Sequence, residues 1–330
     1  MTEPAIEVQD LRKTYAKGVE AVRGISFAVE RGEVFALLGP NGAGKSTTVR
    51  ILTTLSYATS GSTRVAGLDV AAQPEQVRRR IGYIAQATGV DVYATGRENV
   101  ILQGRFHGLS GAEARSRTDE LLRAFRLEDA ADRLVRTYSG GMKRRLDVAM
   151  GLVNRPEVLF LDEPTTGLDP ESRAALWDEV GRLARGGLTI LLTTHYLEEA
   201  DRLARRVAII DQGRIVAEGT PESLKGSLRG DLVKVELAEI GKAETARTLL
   251  GELPGVVSAM LDGAVLYARV ENGARAIPSI VGALERGGLS VAEVSASRPS
   301  LDDVYLQATG HRYPGDEESA GGAAAGEGAR

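Results

Sequence analysis

The chain of 330 residues is 43% hydrophobic and 26% charged, contains no cysteine and carries a formal net charge of −4. This apolar content excludes wholesale disorder, the absence of cysteine excludes disulfides and thiolate chemistry, and charges interrupt every apolar run before the roughly 18–20 residues that a membrane span needs. Most of the negative charge lies in residues 314–330, so the nearly neutral remainder gives no electrostatic case for nucleic-acid binding.

The N-terminus and the hydrophobic pattern indicate a cytosolic protein of two domains. Residues 1–7 lack the basic and apolar regions of a signal peptide. Residues 1–222 alternate short apolar runs with amphipathic stretches, which is typical of an α/β domain. Residues 223–312 follow a β-α-β-β-α-β pattern, which predicts a small ferredoxin-like α+β domain, with a capping box at Ser300 opening a last helix. Residues 313–330 contain too few apolar residues to order, so we expect a disordered tail.

A glycine-rich segment follows the first predicted central strand, residues 33–38, and precedes a predicted helix. Its Gly39, Gly44, Lys45 and Ser46 satisfy the phosphate-loop pattern G-x-x-x-x-G-K-[S/T] in the strand–loop–helix context that confirms it. Backbone N–H groups of such a loop point at phosphate oxygens, Lys45 supplies positive charge to the β- and γ-phosphates, and Ser46 supplies a Mg²⁺ ligand. The alternative is a glycine turn that binds no nucleotide. The predicted nucleotide-binding residues of this segment are Gly39, Pro40, Asn41, Gly42, Ala43, Gly44, Lys45, Ser46 and Thr47.

A mostly helical segment is predicted over residues 96–155, and it contains a second glycine pair. Ser139, Gly140 and Gly141 stand at the start of a predicted helix, and a helix N-terminus is an anion site. The basic run over residues 143–145 of this helix, like the run over residues 78–80, is interpreted as a solvated face.

Two acids end the next apolar strand, residues 158–161. Asp162 can organise a metal ion, while Glu163 can polarise or deprotonate an attacking water. The alternative is that the acid pair merely caps the following helix; the phosphate loop upstream favours the catalytic interpretation. A further apolar run over residues 189–192 predicts another central strand of a parallel sheet.

Together these motifs resemble the nucleotide-binding subunits of ABC transporters. The resemblance implies a P-loop NTPase cassette in which a parallel-sheet core carries an antiparallel β part and a helical subdomain. It also implies a head-to-tail homodimer with two ATP molecules at its interface, in which the signature Ser139–Gly141 closes on the ATP of the opposite subunit. Tyr138 and Met142 stand where the commonest signature has Leu and Gln.

The resemblance assigns roles to further residues, each with a structural alternative. Tyr15 would stack on adenine, or be a strand-face tyrosine. Gln86 would sense Mg²⁺ and face the membrane partner, or be a generic surface glutamine. Asp169, in the segment 166–169, would communicate across the dimer, or belong to a simple turn. His195 would contact the γ-phosphate and hold the water, or be a structural histidine. The implied metal ligands are Ser46, Gln86 and Asp162.

Over nearly its whole length the chain is similar to the daunorubicin/doxorubicin-resistance type of ABC ATPase, on residues 78–84, 137–147 and 300–311. This similarity implies an enzyme that uses ATP and Mg²⁺ to power export of a drug-like or other hydrophobic compound. The compound would pass through a separate integral membrane permease, with the ATPase on the inner face of the cell membrane. Drug, lipid and polysaccharide exporters share such a cassette, so the cargo stays open.

Two other function classes fit less well. A soluble ABC-type ATPase acting on DNA or ribosomes is the alternative, but only 94 residues separate Lys45 from Ser139, which leaves no room for the long insertions of repair and chromosome proteins. A small-molecule kinase would leave the signature at Ser139 unexplained.

Overall fold

Two compact units make up the chain in the computed structural model, which describes residues 3–228, 230–238, 243–263, 265–311 and 313. The division falls at Thr220, two residues before the predicted boundary, because Pro221 opens a short helix that packs within the C-terminal unit. No helix within the described ranges is long and apolar enough to cross a membrane.

The predicted disordered tail lies outside the described residues, with one exception. Tyr313, the first residue assigned to the tail, is 2% exposed, and its ring meets the ring of Tyr305 edge-on at a centroid distance of 4.9 Å. Tyr313 is therefore packed against Tyr305.

The N-terminal unit alternates strands and helices, as the sequence predicts. Its strands are β1 (Ile6–Thr14), β2 (Glu20–Val29), β3 (Val34–Leu38), β4 (Ser60–Val65), β5 (Leu68–Asp69), β6 (Ile81–Ile84), β7 (Val158–Asp162), β8 (Thr189–Thr194), β9 (Arg206–Asp211) and β10 (Arg214–Gly219). Its helices are α1 (Lys45–Leu52), α2 (Pro74–Arg80), α3 (Gly96–Phe106), α4 (Gly111–Ala124), α5 (Gly140–Gly151), α6 (Pro170–Arg185) and α7 (Leu197–Leu203).

A mostly parallel sheet forms the centre of this unit, in the order β10-β9-β3-β8-β7-β6. All neighbours pair in parallel except β10, which is antiparallel to β9 at one edge. Every residue of β3, β7 and β8 is buried, which explains why these strands are continuous apolar runs. Parallel strands bring their carboxyl ends to one edge of the sheet, so the segments that follow β3, β6, β7 and β8 meet there.

An antiparallel sheet, in the order β2-β1-β4-β5, forms the predicted second β part. Phe27 of β2 stacks on Phe35 of β3 with the ring centroids 5.2 Å apart, so one aromatic pair joins the two sheets. Val49 and Leu52 of α1 are fully buried in the same core. This packing fixes α1, and with it the loop that precedes α1.

The predicted helical subdomain consists of α3, α4 and α5. Thr95 and Ser110 open α3 and α4 with complete capping boxes, which satisfy N–H groups that each helix start leaves unpaired. Leu121 and Leu122 are buried on one face of α4, and Phe125 is buried directly after it. Ser139 caps α5, so the signature residues begin this helix.

The C-terminal unit has the predicted β-α-β-β-α-β order, preceded and followed by a helix. Its elements are α8 (Pro221–Ser227), β11 (Asp231–Leu237), α9 (Ala243–Gly251), β12 (Val256–Asp262), β13 (Val265–Val270), α10 (Gly273–Arg286), β14 (Val291–Ser297) and α11 (Leu301–Thr309). The strands form an antiparallel sheet in the order β12-β13-β11-β14. Ser300 and Asp303 form the predicted capping box of α11.

Gly82 of β6 offers a test of how tightly β6 is packed against α5. A Cβ on Gly82 would lie 2.1 Å from the carbonyl oxygen of Gly151, which is backbone and cannot turn aside. We expect Gly82→Ala to lower the free energy of unfolding by about 1–3 kcal/mol, measured by urea denaturation. The matched control is Gly181→Ala in α6, where the nearest atom is the flexible end of Arg185 at 3.4 Å. Equal stability of Gly82→Ala and the wild type would show that this packing is loose.

Candidate nucleotide site

The loop between β3 and α1 approaches neighbouring backbone too closely for side chains. The N–H of Gly39 donates to the carbonyl oxygen of Thr194 at 3.2 Å, and a Cβ on Gly39 would lie 2.3 Å from the carbonyl oxygen of Ile210. Gly44 has a φ of +109°, and a Cβ there would lie 2.5 Å from the carbonyl oxygen of Ala21. Both glycines of the motif are therefore required by the path of the chain.

The tip of this loop is open to solvent. Asn41 and Gly42 are exposed, Pro40 is half-buried, Ala43 is buried, and Gly42 has a φ of +82° with no atom near the position of a Cβ. This left-handed turn at the tip, followed by the start of α1, is the arrangement in which backbone N–H groups form an anion site.

Lys45, the first residue of α1, turns back into the loop. It is 4% exposed, and its Nζ donates to the carbonyl oxygens of Gly39 at 2.7 Å and Pro40 at 3.1 Å. The same Nζ lies 3.2 Å from Oε1 of Glu163. Burial lowers the pKa of Lys45, while the carboxylates of Glu163 and Asp162 oppose this shift. The Lys45 ammonium thus sits where phosphate oxygens of a bound nucleotide would need it.

Glu163 is the centre of the site. Its Oε2 lies 3.1 Å from Nδ1 of His195 and accepts from Nε2 of Gln86 at 3.1 Å and from Oγ1 of Thr166 at 3.3 Å. Burial raises the pKa of Glu163, but the hydrogen bond with His195 and the charge of Lys45 outweigh it and lower the pKa to about 2. The carboxylate is therefore ionised at neutral pH.

The backbone of Glu163 is in the left-handed region, with a φ of +47°. This conformation costs about 1–2 kcal/mol for a residue with a side chain. The Glu163 N–H donates to Oγ1 of Thr193 at 3.0 Å and to the carbonyl oxygen of the same residue at 3.1 Å. These two hydrogen bonds hold the turn that Glu163 makes directly after the end of β7.

Ser46 and Asp162 provide a pair of oxygen ligands suited to Mg²⁺. Ser46 Oγ donates to Oδ1 of Asp162 at 3.0 Å, and Oγ1 of Thr193 donates to the same oxygen at 2.6 Å. Mg²⁺ is generally bound by one or two protein oxygens together with phosphate oxygens and water. Across the part of the chain that the structure describes, no group of three or more His, Cys, Asp or Glu could hold a metal by itself. The donor set therefore fits a magnesium ion shared with a nucleotide.

The structure places the remaining predicted residues of this site as follows. Gln86, exposed two residues after the end of β6, directs its amide nitrogen to Glu163, and no described hydrogen bond joins Gln86 to Ser46 or Asp162. Tyr15 is 39% exposed, and its hydroxyl lies 3.4 Å from Oγ1 of Thr47 in α1. The ring lies beside the loop, and Nζ of Lys13 stands over it at 5.0 Å from the centroid.

The signature forms a separate surface of the same unit. Ser139 and Gly140 are exposed, and a Cβ on Gly141 would lie 2.5 Å from Oγ of Ser172 in α6. Asp169 caps α6, accepting from the N–H of Ser172 at 2.8 Å and from its Oγ at 2.7 Å. Among the described residues, no hydrogen bond or ion pair joins the signature to the buried ion pair. One chain thus holds two half-sites that do not meet.

One prediction about exposure is wrong. Arg78, Arg79 and Arg80 are exposed as predicted, but Arg144, assigned to a solvated face, is 6% exposed. It is buried because its guanidinium binds backbone carbonyls around the site. Sequence reasoning also missed Thr193, although its position two residues before His195 at a strand end was an available signal.

Two family models match the chain. The model described as ABC transporter matches residues 22–166, and the model described as ATP-binding protein DrrA1-3-like, C-terminal domain, matches residues 219–309. Together they cover the phosphate loop, Asp162, the signature and most of the C-terminal unit.

Relatives match nearly the whole chain. The daunorubicin/doxorubicin resistance ATP-binding protein DrrA of Streptomyces peucetius is 48% identical over 96% of both chains. The Nod factor export ATP-binding protein I of Paraburkholderia xenovorans is 41% identical over 94% of this chain and 98% of its own. A dimeric ATP-binding cassette, MJ0796, solved bound to ADP and Pi, superposes with a TM-score of 0.59 at 27% identity, covering 65% of this chain and 98% of its own. These matches confirm the family resemblance: the chain belongs to the ATP-binding proteins of ABC transporters, with a DrrA-like C-terminal domain, and is an ABC-type ATPase.

Proposed function

We propose that two copies of this ATPase bind ATP and Mg²⁺ between them and power export of a hydrophobic compound through a separate membrane permease. The observation that carries this proposal is the presence of two half-sites on one unit. The buried Lys45–Glu163 centre and the exposed signature at Ser139–Gly141 do not meet within a chain. A head-to-tail dimer would bring each signature to the partner's loop, and a dimeric relative solved with ADP and Pi supports this arrangement.

Nucleotide binding requires Lys45 to exchange partners. Its Nζ now binds two loop carbonyls and Glu163, and the β- and γ-phosphates would replace them. Ser46 and Asp162 would hold Mg²⁺, which neutralises phosphate charge when bound. The exposed ring of Tyr15 would stack on adenine beside α1.

The same exchange prepares Glu163 for hydrolysis. When Lys45 turns to the phosphates, the Glu163 carboxylate loses a nearby cation that had lowered its pKa. The pKa of Glu163 then rises, so the carboxylate becomes a stronger base. His195 and Gln86 keep its Oε2 oriented. Water then attacks the γ-phosphorus, its proton passes to Glu163, and the bond to the bridging oxygen of ADP breaks.

The permease surface is proposed on α3, the first helix after Gln86 in the chain. Leu102 and Phe106 lie one turn apart on α3 and are 52% and 76% exposed, and Tyr93 shortly before the helix is 81% exposed. Large exposed apolar side chains on one face favour a protein partner. The chain would then lie in the cytoplasm against the inner face of the membrane. The relatives' names refer to different exported compounds, so the proposal stops at a hydrophobic cargo.

The test of this function is co-expression with a candidate permease, a membrane protein sought in the reading frames that neighbour this chain's own. We expect the ATPase to co-purify with that protein in membranes and the pair to lower the cellular content of a hydrophobic dye. A chain that stays off membranes, and whose ATPase activity is stimulated by DNA or ribosomes instead, would contradict the proposal.

Replacing Lys45 should weaken nucleotide binding. A hydrogen bond to a charged group contributes about 1.5–3 kcal/mol, so Lys45→Ala should raise the Kd for ATP by roughly 10- to 150-fold in titration calorimetry. Lys234→Ala, in the C-terminal unit, is the control and should leave the Kd unchanged. Circular dichroism would verify that both variants are folded. An unaltered Kd in folded Lys45→Ala would remove this residue from the site.

Replacing Glu163 should separate binding from hydrolysis. Glu163→Gln keeps the shape of the side chain but cannot accept the proton, so kcat should fall by about 10²- to 10⁴-fold while ATP still binds. Because ATP is then not consumed, a dimer should accumulate in light scattering with ATP. Glu198→Gln, an exposed acid of α7, should behave as the wild type. Undiminished turnover in Glu163→Gln would exclude Glu163 as the base.

Charges placed on the α3 surface should disrupt the membrane complex without disturbing the ATP site. We expect the double variant Leu102→Glu/Phe106→Glu to lose co-purification with the permease, because docking would bury the new carboxylates, and to keep its own ATPase activity. Val257→Glu, at an exposed apolar residue of the C-terminal unit, is the matched control. Full co-purification of the double variant would place the permease elsewhere.

A further inference from the structure

Arg144 of α5 binds the backbone on both sides of the catalytic centre. Its Nε donates to the carbonyl oxygen of Pro164 at 2.7 Å, and its Nη1 donates to the carbonyl oxygen of Ala85 at 2.8 Å. Pro164 directly follows Glu163, and Ala85 directly precedes Gln86. The side chains of Glu163 and Gln86 are themselves hydrogen-bonded to each other. One guanidinium therefore fixes the spacing between the two segments that carry this bond.

Asp147 completes the arrangement from the next turn of the same helix. Its Oδ2 accepts from Nη1 of Arg144 at 3.0 Å, and its Oδ1 accepts from the N–H of Gly89 at 3.2 Å. Both residues are 6% exposed. The segment that contains Gln86 is thus held at Ala85 by the arginine and at Gly89 by the aspartate.

Stability alone does not account for a buried ion pair at this position. Desolvation of the two charges offsets much of their attraction, so apolar residues of similar size often serve as well or better. The Arg144–Asp147 pair instead reaches four backbone groups that apolar side chains could not bind: the N–H of Gly89 and the carbonyls of Ala85, Pro164 and Asp162. The distinctive contribution of the Arg144–Asp147 pair is that it fixes the positions of those backbone groups.

The helix that carries the pair begins at the signature. Ser139 caps α5 and Gly140 is its first residue, so Arg144 lies about one turn further along the same rigid element. A movement of the signature end of α5 would therefore move the guanidinium and the carbonyls bound to it.

We propose that Arg144 and Asp147 form a positioning pair, through which the signature helix sets the placement of Glu163 and Gln86. As a positioning pair it acts through these two residues and not on the reacting atoms. The inference rests on the proposed closing of two copies around ATP: docking of a signature on the partner's nucleotide would be communicated along α5 to that subunit's own base.

The first experiment compares Arg144→Lys with Arg145→Lys in the full chain. Lysine keeps the charge but lacks the planar fork, so it cannot hold the carbonyls of Pro164 and Ala85 together. We expect kcat for ATP hydrolysis to fall by about 10- to 100-fold, as for a displaced catalytic group, while KM and the Kd for ATP stay unchanged. Arg145, whose described hydrogen bond goes to the carbonyl of Phe125, is the matched control and should tolerate lysine.

A second experiment separates positioning from folding. Arg144→Leu and Asp147→Leu each leave one buried charge unpaired and should lower the melting temperature. The double variant removes both charges and should be more stable than either single variant, yet its kcat should remain as low as theirs. Recovery of wild-type kcat in the double variant, or wild-type kcat in Arg144→Lys, would overturn the proposal.

The outcome can be distinguished from failure of the dimer proposal. Light scattering of the wild type with ATP tests dimer formation, and the kcat comparison tests the pair. A wild type that hydrolyses ATP without dimerising would remove the communication between subunits, while a kcat loss confined to Arg144→Lys would still support the positioning role.

Discussion

The ion pair between Lys45 and Glu163 is the interaction on which the site depends. The two residues follow β3 and β7, which are not neighbours, because β8 lies between them in the sheet. The pair therefore spans the end of β8. This strand contributes Thr193 to the site, and His195 directly follows the strand. Burial of two charges is tolerated here because loop carbonyls, His195 and Gln86 satisfy the remaining donors and acceptors. The charge of Lys45 is thus neutralised by Glu163, and a phosphate would have to compete with this carboxylate for the ammonium.

The features that short patterns determine could be predicted from the sequence. The phosphate loop, the acids after β7 and the β-α-β-β-α-β order all follow from local spacing and from the periodicity of buried strands. The predicted base, Glu163, lies against Lys45 because strands of one parallel sheet end at one edge. The roles assigned by resemblance to Tyr15 and Asp169 remain predictions, although the structure places Tyr15 beside α1 and shows that Asp169 caps α6.

The features that tertiary contacts determine could not be predicted in this way. Three consecutive basic residues on a helix indicate a solvated face, and nothing local shows that Arg144 meets carbonyls from two other segments. The acid three positions later, Asp147, was the one signal available, since residues at this spacing are neighbours on a helix. The segment 300–311, one of the three on which the subgroup resemblance rests, contains Leu301, Val304, Tyr305 and Leu306, all buried. Nothing local in the sequence shows which side chains they pack against.

The contact between Gly141 and Ser172 has a consequence for how two ATP sites would behave. Ser172 binds Asp169, and the same loop sends Thr166 to the carboxylate of Glu163. The signature glycine Gly141 thus packs against Ser172, next to the loop that reaches the base of its own chain. A Cβ on Gly141 would lie only 2.5 Å from Oγ of Ser172. In a head-to-tail dimer the signature would contact the nucleotide of the partner, while this loop would lie at the nucleotide site of its own chain. Occupancy of one site would then alter the other mechanically, and the two hydrolysis events would be cooperative rather than independent.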